Sequence, residues 1–267
     1  MNDIEAAFNE YFEIVNAGTP ELLKEVFDLR YRILCVHNTF PDFDGSRFPD
    51  GLEHDEYDRH SVHILLRHRS SDIFVGTTRL ILPDRQHNER KFPTELHTHF
   101  FPGFALDTIS RRQTCEISRF AILSDFFKRK KDQAVTPSNG IVSTGKNDRR
   151  RFPHPMLALV VGIIRSCAKH KIYYLLSSMD PALNKLLGFY GLQLNPIGPT
   201  VNYHGIRCPY HVSIFDMLDR MYRYHRNIWE LVTDHGKFWP ADLSSLRSNQ
   251  HRSVDTIKLD EYARLLD

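Results

Sequence analysis

The sequence has little that would mark a membrane protein, a disulfide scaffold or a nucleotide-binding fold. Its four cysteines, Cys35, Cys115, Cys167 and Cys208, lie far apart with no C-x-x-C pair. Three of them sit in apolar periodic segments, so reduced core thiols in a cytoplasmic protein are expected. The longest apolar run, Met156 to Ile164, is far too short to span a bilayer. Met1–Glu5 is not a basic segment leading into an apolar one, so no signal peptide and no stable membrane insertion are expected. Also missing are a G-x-S-x-G elbow, a Walker loop and a Rossmann glycine fingerprint. The net charge is only +2, so no overall field points to nucleic acid, and any basic site must be local.

What is present is ordinary globular usage over 267 residues, 41% hydrophobic and 25% charged, enough for one large core. Tyr11–Val15 alternates like a strand. Thr19-Pro20-Glu21 starts a helix, with a capping threonine, proline in the first turn and an acid behind it. That helix is expected to run to about Val36, with Arg30 on its apolar stripe between Phe27 and Leu34. An arginine there either snorkels or reaches an internal carboxylate, and the acid-rich segment nearby favours the second. Asn38–Asp58 reads as a long loop, Ser61–Leu66 and Ile73–Leu82 as strands joined by a turn, and Pro83–Arg112 as an irregular connection.

Thr114–Ile122 is a β-rich segment carrying Glu116 and Arg119, and charges placed there need partners or a role. Ser124–Arg151 lacks apolar periodicity and reads as an insertion. Pro155 opens a buried helix to about Lys169. Then come a strand at Ile172–Leu176, a helix at Pro181–Phe189 ended by Gly191, and a lead through Leu192–Ile197 to a strand near Tyr210–Phe215. A helix from Asp216 to about Val232 and a terminal helix from Asp255 to Leu266 close the chain. The order implies an α/β fold, a mixed sheet with helices on both faces.

Four groups of residues could do chemistry. In Glu53–Asp58, Asp55 and Asp58 could face one cleft, although a solvated acidic loop is the bland reading. His54, Asp55, Asp58 and His60 show no recognised metal-ligand spacing, so no metal is expected. Arg79 interrupts an apolar strand, as a structural ion pair or a site residue. In Thr114–Ile122, alternation puts Glu116, Ser118 and Phe120 on one face and Arg119 on the other, so a shared site requires a bulge. Finally, Lys128, Arg129, Lys130 and Lys131, with Arg149, Arg150 and Arg151, flank the helix that starts near Pro155. They read as solvated loop charge, or as a patch for phosphate or an acidic protein, with nucleic acid the weaker version.

Leu29-Arg30-Tyr31-Arg32-Ile33-Leu34, Asp55-Glu56-Tyr57-Asp58, Arg79-Leu80 and Glu116-Ile117-Ser118-Arg119-Phe120 together resemble the motifs of acyl-homoserine-lactone (autoinducer) synthases. Those enzymes share the GNAT acyltransferase fold with the N-acyl amino acid synthases. The runs Asp55–His63, Met179–Leu183, Pro196–Pro199 and Tyr203–Gly205 are similar to the acyltransferases associated with PEP-CTERM/exosortase systems. That similarity extends to about Thr233, which makes residues 1–235 one GNAT-like domain and 236–267 a polar extension.

The resemblance implies transfer of an acyl group from a thioester to an amine, with Glu116 and Arg119 catalytic. It implies substrate contacts at Arg30, Phe40, Asp55, Asp58, Arg79, Ser118 and Phe120. Leu34 stands where the family usually has Phe, and Phe40 where it usually has Trp. In place of the family's glycine-bearing CoA loop the chain has Arg150-Arg151-Phe152-Pro153-His154-Pro155. Acyl carrier protein is therefore expected as donor in preference to acyl-CoA, docking on the basic residues, with the acyl-phosphopantetheine thioester as co-substrate and no permanently bound cofactor. The alternative of another class is a non-catalytic GNAT-like module, in which Arg30, Asp55, Asp58, Arg79, Glu116 and Arg119 would neutralise one another with no open cleft.

Overall fold

The computed structural model describes residues 2–37, 43–84, 86–87, 89–127 and 155–248. An eight-stranded sheet is the centre of the molecule. Its strands are β1 (Phe12–Asn16), β2 (Ser61–His68), β3 (Ile73–Ile81), β4 (Thr114–Ile122), β5 (Tyr174–Met179), β6 (Asn195–Pro196), β7 (Val201–Asn202) and β8 (Ile206–Ser213). The order is β1-β2-β3-β4-β5-β8-β6, with β7 paired to β8. Among the described strands, only β4 and β5 run parallel. This is the mixed sheet expected from the element order.

Helices cover both faces. On one, α2 (Pro20–Arg30) lies against β2 and β3. Its start is as expected, since Thr19 Oγ1 accepts from the Leu22 amide. On the other face, α5 (Pro155–His170) crosses β1, β2 and β3. Gly162 permits that close approach, because a Cβ there would lie 2.8 Å from Ile64 Cγ2 and 3.1 Å from Ile14 Cγ2. β5 is followed by α6 (Pro181–Gly188), capped by Asp180 through the Ala182 amide at 2.7 Å.

The elements differ from expectation in three places. Residues before β1 form α1 (Asp3–Tyr11), capped by Asn2 and held by buried Ala7 and Phe8. The Pro83–Arg112 connection contains α3 (Pro93–His97), and β4 is followed by α4 (Ser124–Phe127). The helix expected over Asp216–Val232 is two, α7 (Ile214–Tyr224) and α8 (Arg226–Thr233), separated at His225. α7 stays against β8, whereas α8 turns to bury Trp229, Leu231 and Val232 against α5 and α1. Beyond residue 235, Trp239 is buried and its indole N–H donates to the Ile164 carbonyl at 2.9 Å. Arg247, on α9 (Ser244–Ser248), pairs with Asp216 and Asp219. The expected Asp255–Leu266 helix lies outside the described residues, as do most of the Ser124–Arg151 insertion and Phe40. No helix among the described residues is long and apolar enough to cross a membrane.

Candidate active site

α2 does not end at Arg30 but widens into a π-helical turn, Tyr31–Val36, an irregularity that often marks a functional region. It carries Ile33 and Leu34 toward β4. Arg30 itself is fully buried. The burial is tolerable because Nε donates to Glu53 Oε2 and Nη1 donates to Asp58 Oδ1 at 2.8 Å. The internal-carboxylate reading of Arg30 is therefore the correct one.

Asp55 and Asp58 are set by a short helical turn, Glu56–His60. Asp55 accepts from the Tyr57 amide at 2.9 Å, and Asp58 returns the contact by accepting from the Asp55 amide at 2.7 Å. From β3, Arg79 reaches both: Nη1 donates to Asp58 Oδ1 at 2.6 Å and Nη2 to Asp55 Oδ2 at 2.9 Å. Arg79 Nε donates to Ser118 Oγ, also at 2.9 Å.

The bulge that alternation required is present. β3 and β4 pair as Thr77 with Ala121 and Arg79 with Ser118, so β4 carries one residue more than β3 between these pairs. Arg119 takes up the difference with φ at +50°, a left-handed conformation costly for a non-glycine residue. Re-aimed in this way, Arg119 donates to Glu53 Oε1 from Nε at 3.0 Å and Nη2 at 2.8 Å, and to Asp55 Oδ2 at 3.0 Å.

The result is a closed ring of alternating charge, Arg30–Asp58–Arg79–Asp55–Arg119–Glu53 and back to Arg30. Each member touches two of opposite sign. Burial pushes Glu53, Asp55 and Asp58 upward, but the arginines overcome it and hold all three below the usual carboxylate range. Burial also works against the charge on Arg79, and Asp55 and Asp58 more than restore it. Glu53 was not among the residues singled out from the sequence. Its position at the head of the Glu53–Asp58 acidic run was the available signal, but nothing local shows that this acid is 1% exposed.

Glu116 stands outside the ring. It is buried at 3% exposure, and its Oε2 accepts from the Thr94 amide of α3 at 2.9 Å. Burial pushes its carboxyl up to about 7, against the pull of that amide and of Arg79, while the nearby Glu95 adds to the rise. Three arginines meet three carboxylates in the ring, so Glu116 is left with no cation of its own.

Beside Glu116 the sheet opens. The parallel ladder between β4 and β5 pairs Thr114 with Tyr174, Cys115 with Leu175 and Glu116 with Leu176, then stops, while β5 continues along β8 to Met179. Ser177 Oγ donates to the Ile117 carbonyl at 3.2 Å across the opening. A cavity of about 590 Å³ passes between the parting strands. At one end lie Glu116, Ser118, Arg79, Asp55 and Arg119, and at the other Ile163 and Ile164 of α5, Leu187 of α6, Leu192 and Met217 of α7. Phe120 and Leu34 also line it. At the rim the His97 ring stacks on Tyr203, 4.3 Å between centroids. Tyr203 is carried by the β7–β8 turn, where His204 and Gly205 both have positive φ. His97 is exposed and also part of this rim.

Of the residues predicted for the site, Arg30, Asp55, Asp58, Arg79 and Arg119 meet in the ring. Glu116, Ser118 and Phe120 line the cavity. Phe40, Lys128, Arg129, Lys130, Lys131, Arg149, Arg150 and Arg151 lie outside the described residues. The carboxylates of the considered metal set, Asp55 and Asp58, are turned to arginines, and no His/Cys/Asp/Glu group among the described residues is arranged to hold a metal.

Residues 29–136 match the family model described as an Acetyltransferase (GNAT) domain. No curated protein matches the chain. Among solved structures, the CoA-dependent acyl-homoserine lactone synthase BjaI is similar at 20% identity and a TM-score of 0.50, over 84% of this chain and 88% of that one. The acyl-homoserine-lactone synthase LasI aligns at 20% identity and 0.47, over 76% and 88%. FeeM, an N-acyl amino acid synthase from uncultured soil microbes, aligns at 14% identity and 0.48, over 80% and 96%. With its parted β4 and β5, and a matched segment that spans the ring and Glu116, the chain has a GNAT-like α/β fold.

Proposed function

We propose that the protein is an N-acyltransferase that moves a fatty acyl group from a thioester to the amine of an amino acid or similar small acceptor. The observation that carries this reading is Glu116: unlike Asp55, the other acid at this end of the cavity, it has no arginine bound to it, and it is held at about 7 where a base is useful. The acceptor arrives as an ammonium and gives one proton to Glu116. Its nitrogen then attacks the thioester carbonyl, so that a C–N bond forms, the C–S bond breaks and the thiol departs. The net products are an amide, a thiol and one proton released to solvent. Arg119, at 16% side-chain exposure the most open arginine of the ring, offers its free edge to an acceptor carboxylate. The β4 backbone beyond Glu116, where the ladder to β5 has ended, is placed to polarise the carbonyl.

The apolar arm of the cavity receives the acyl chain. Met217→Phe at its far end is expected to cut transfer of long acyl chains about tenfold or more while sparing short ones. Equal loss for all lengths, read as product yield across a chain-length series, would place the chain elsewhere.

Acyl carrier protein is the favoured donor, because Arg150–Pro155 lacks the glycines of a CoA loop and Lys128–Lys131 with Arg149–Arg151 suit an acidic partner. BjaI is itself CoA-dependent, so the assay needs both donors. We place the activity in the cytoplasm, within the PEP-CTERM/exosortase-associated group that the Asp55–His63 and Tyr203–Gly205 motifs resemble. Genomic neighbours are the check on that finer assignment. The non-catalytic alternative expects Glu116 inside a fully neutralised set, whereas Glu53 takes that place in the ring.

The test is to incubate the protein with acyl carrier protein or CoA thioesters and a panel of amines, and to look for acyl amides by mass spectrometry. Absence of product from every pairing overturns the reading. With a productive pair, kcat/KM is expected to fall about tenfold per unit as pH drops below about 7, because protonated Glu116 cannot accept the proton. A flat profile from pH 5 to 8 would remove Glu116 from the role.

A further inference from the structure

The Thr94 amide is the one backbone donor seen on Glu116, and it belongs to a helix of only five residues. Such a helix has little stability of its own, so something must hold it in place. That grip comes from the turn leading into β4. Arg111 Nη2 donates to Glu95 Oε1 at 2.6 Å and Nη1 to Glu95 Oε2 at 3.0 Å. Nη1 also donates to the Arg90 carbonyl at 3.0 Å, and the guanidinium lies over the Phe92 ring, 5.3 Å from its centroid. Glu95 in turn caps its own helix by accepting from the Phe92 amide at 2.8 Å. Arg90 extends the connection outward, pairing with Glu56 at 2.6 Å and covering Tyr57 on the turn that carries Asp55 and Asp58.

We propose that Arg111 is the positioning residue for Glu116: it grips the 90–95 segment at Arg90, Phe92 and Glu95 and so holds the Thr94 amide on the Glu116 carboxylate. The grip and the base come from one stretch of chain, so β4 and α3 are clipped together twice. The functional meaning rests on the reading of Glu116 as base, but the contact can be tested without any substrate.

The groups that act electrostatically on Glu116 are Arg79 from β3, Glu95 from α3, Tyr57 from the 56–60 turn, Tyr203 from the β7–β8 turn and the adjacent Cys115 of β4. Arg111→Ala leaves Arg79, Tyr57, Tyr203 and Cys115 in place and releases α3, which carries both Glu95 and the Thr94 amide. Water then reaches a carboxyl whose high value comes mainly from burial.

The measurement is NMR on protein labelled with 13C at glutamate side chains, with the Glu116 signal identified by its loss in Glu116→Gln, together with amide exchange at Thr94. In Arg111→Ala the Thr94 amide is expected to exchange at least about tenfold faster, and the Glu116 midpoint to fall from about 7 by roughly one unit. Arg111→Lys keeps the charge but not the two-pronged grip and should give a smaller change in the same direction; it also serves if the alanine variant does not fold. A merely structural arginine would lower thermal stability and leave both readouts at wild-type values. That result in both variants overturns the proposal. Shifted readouts in a protein that transfers no acyl group would leave the clamp standing and remove only the activity.

Discussion

Glu116→Gln is expected to lower kcat for acyl transfer by about 10² to 10⁴, the usual worth of a positioned base, and at the same time to stabilise the protein in alkaline solution. The two effects share one origin. Burial holds the Glu116 carboxyl at about 7 against an ordinary value of 4.5. Between those values the folded chain keeps a proton that the unfolded chain has released. Stability therefore falls as pH rises across that window, by roughly 3 kcal/mol in all. Glutamine carries no such penalty. The variant should gain on the wild type between pH 4.5 and pH 8, measured as the difference in denaturation midpoint at the two pH values. A difference independent of pH would mean that Glu116 is not held protonated by the fold. Wild-type turnover would remove it from the chemistry.

Arg79→Met tests the ring of charge, and the expected effect lies on stability. Arg79 is 1% exposed and serves both Asp55 and Asp58. Deleting it leaves two partly buried carboxylates short of a partner, a change that costs up to about 3–5 kcal/mol. For a chain of this size that lowers the thermal midpoint by roughly 10 °C. The loss should shrink as the solution is made more acidic. Glu53, Asp55 and Asp58 are held below their ordinary values, so their contribution is present above the normal carboxylate range and disappears as pH falls through the depressed ones. A midpoint unchanged at neutral pH would show that the ring contributes specificity of shape with no net stability.

How much of this could be read from the residues depends on whether the deciding interaction was local. The alternation of β2, β3 and β4 is a local signal, and those strands lie where it put them. Arg30 was legible because a charge on an apolar helix stripe has few outcomes. The bulge was legible only as a condition: nothing in Glu116–Phe120 dictates a left-handed Arg119, yet a shared site could not form without one. Glu53 escaped notice because its burial is decided by where a loop lands. α1 was missed because no glycine or proline separates Tyr11 from Phe12, so a nine-residue helix runs directly into a strand. The break at His225 was missed for a related reason. The apolar stripe continues through it from Met221 to Ile228, and only the need to cover two surfaces bends the chain.

The parting of β4 from β5 has a mechanical consequence. The backbone joint between the β1–β4 half of the sheet and the β5, β8, β6, β7 half is a hinge only three residue pairs long. The softest line through the sheet therefore coincides with the cavity beside Glu116. On the proposed function, a thioester arm lying in that gap would touch both halves and act as a strut, so that loading the protein would stiffen its sheet and departure of the thiol would free the hinge again.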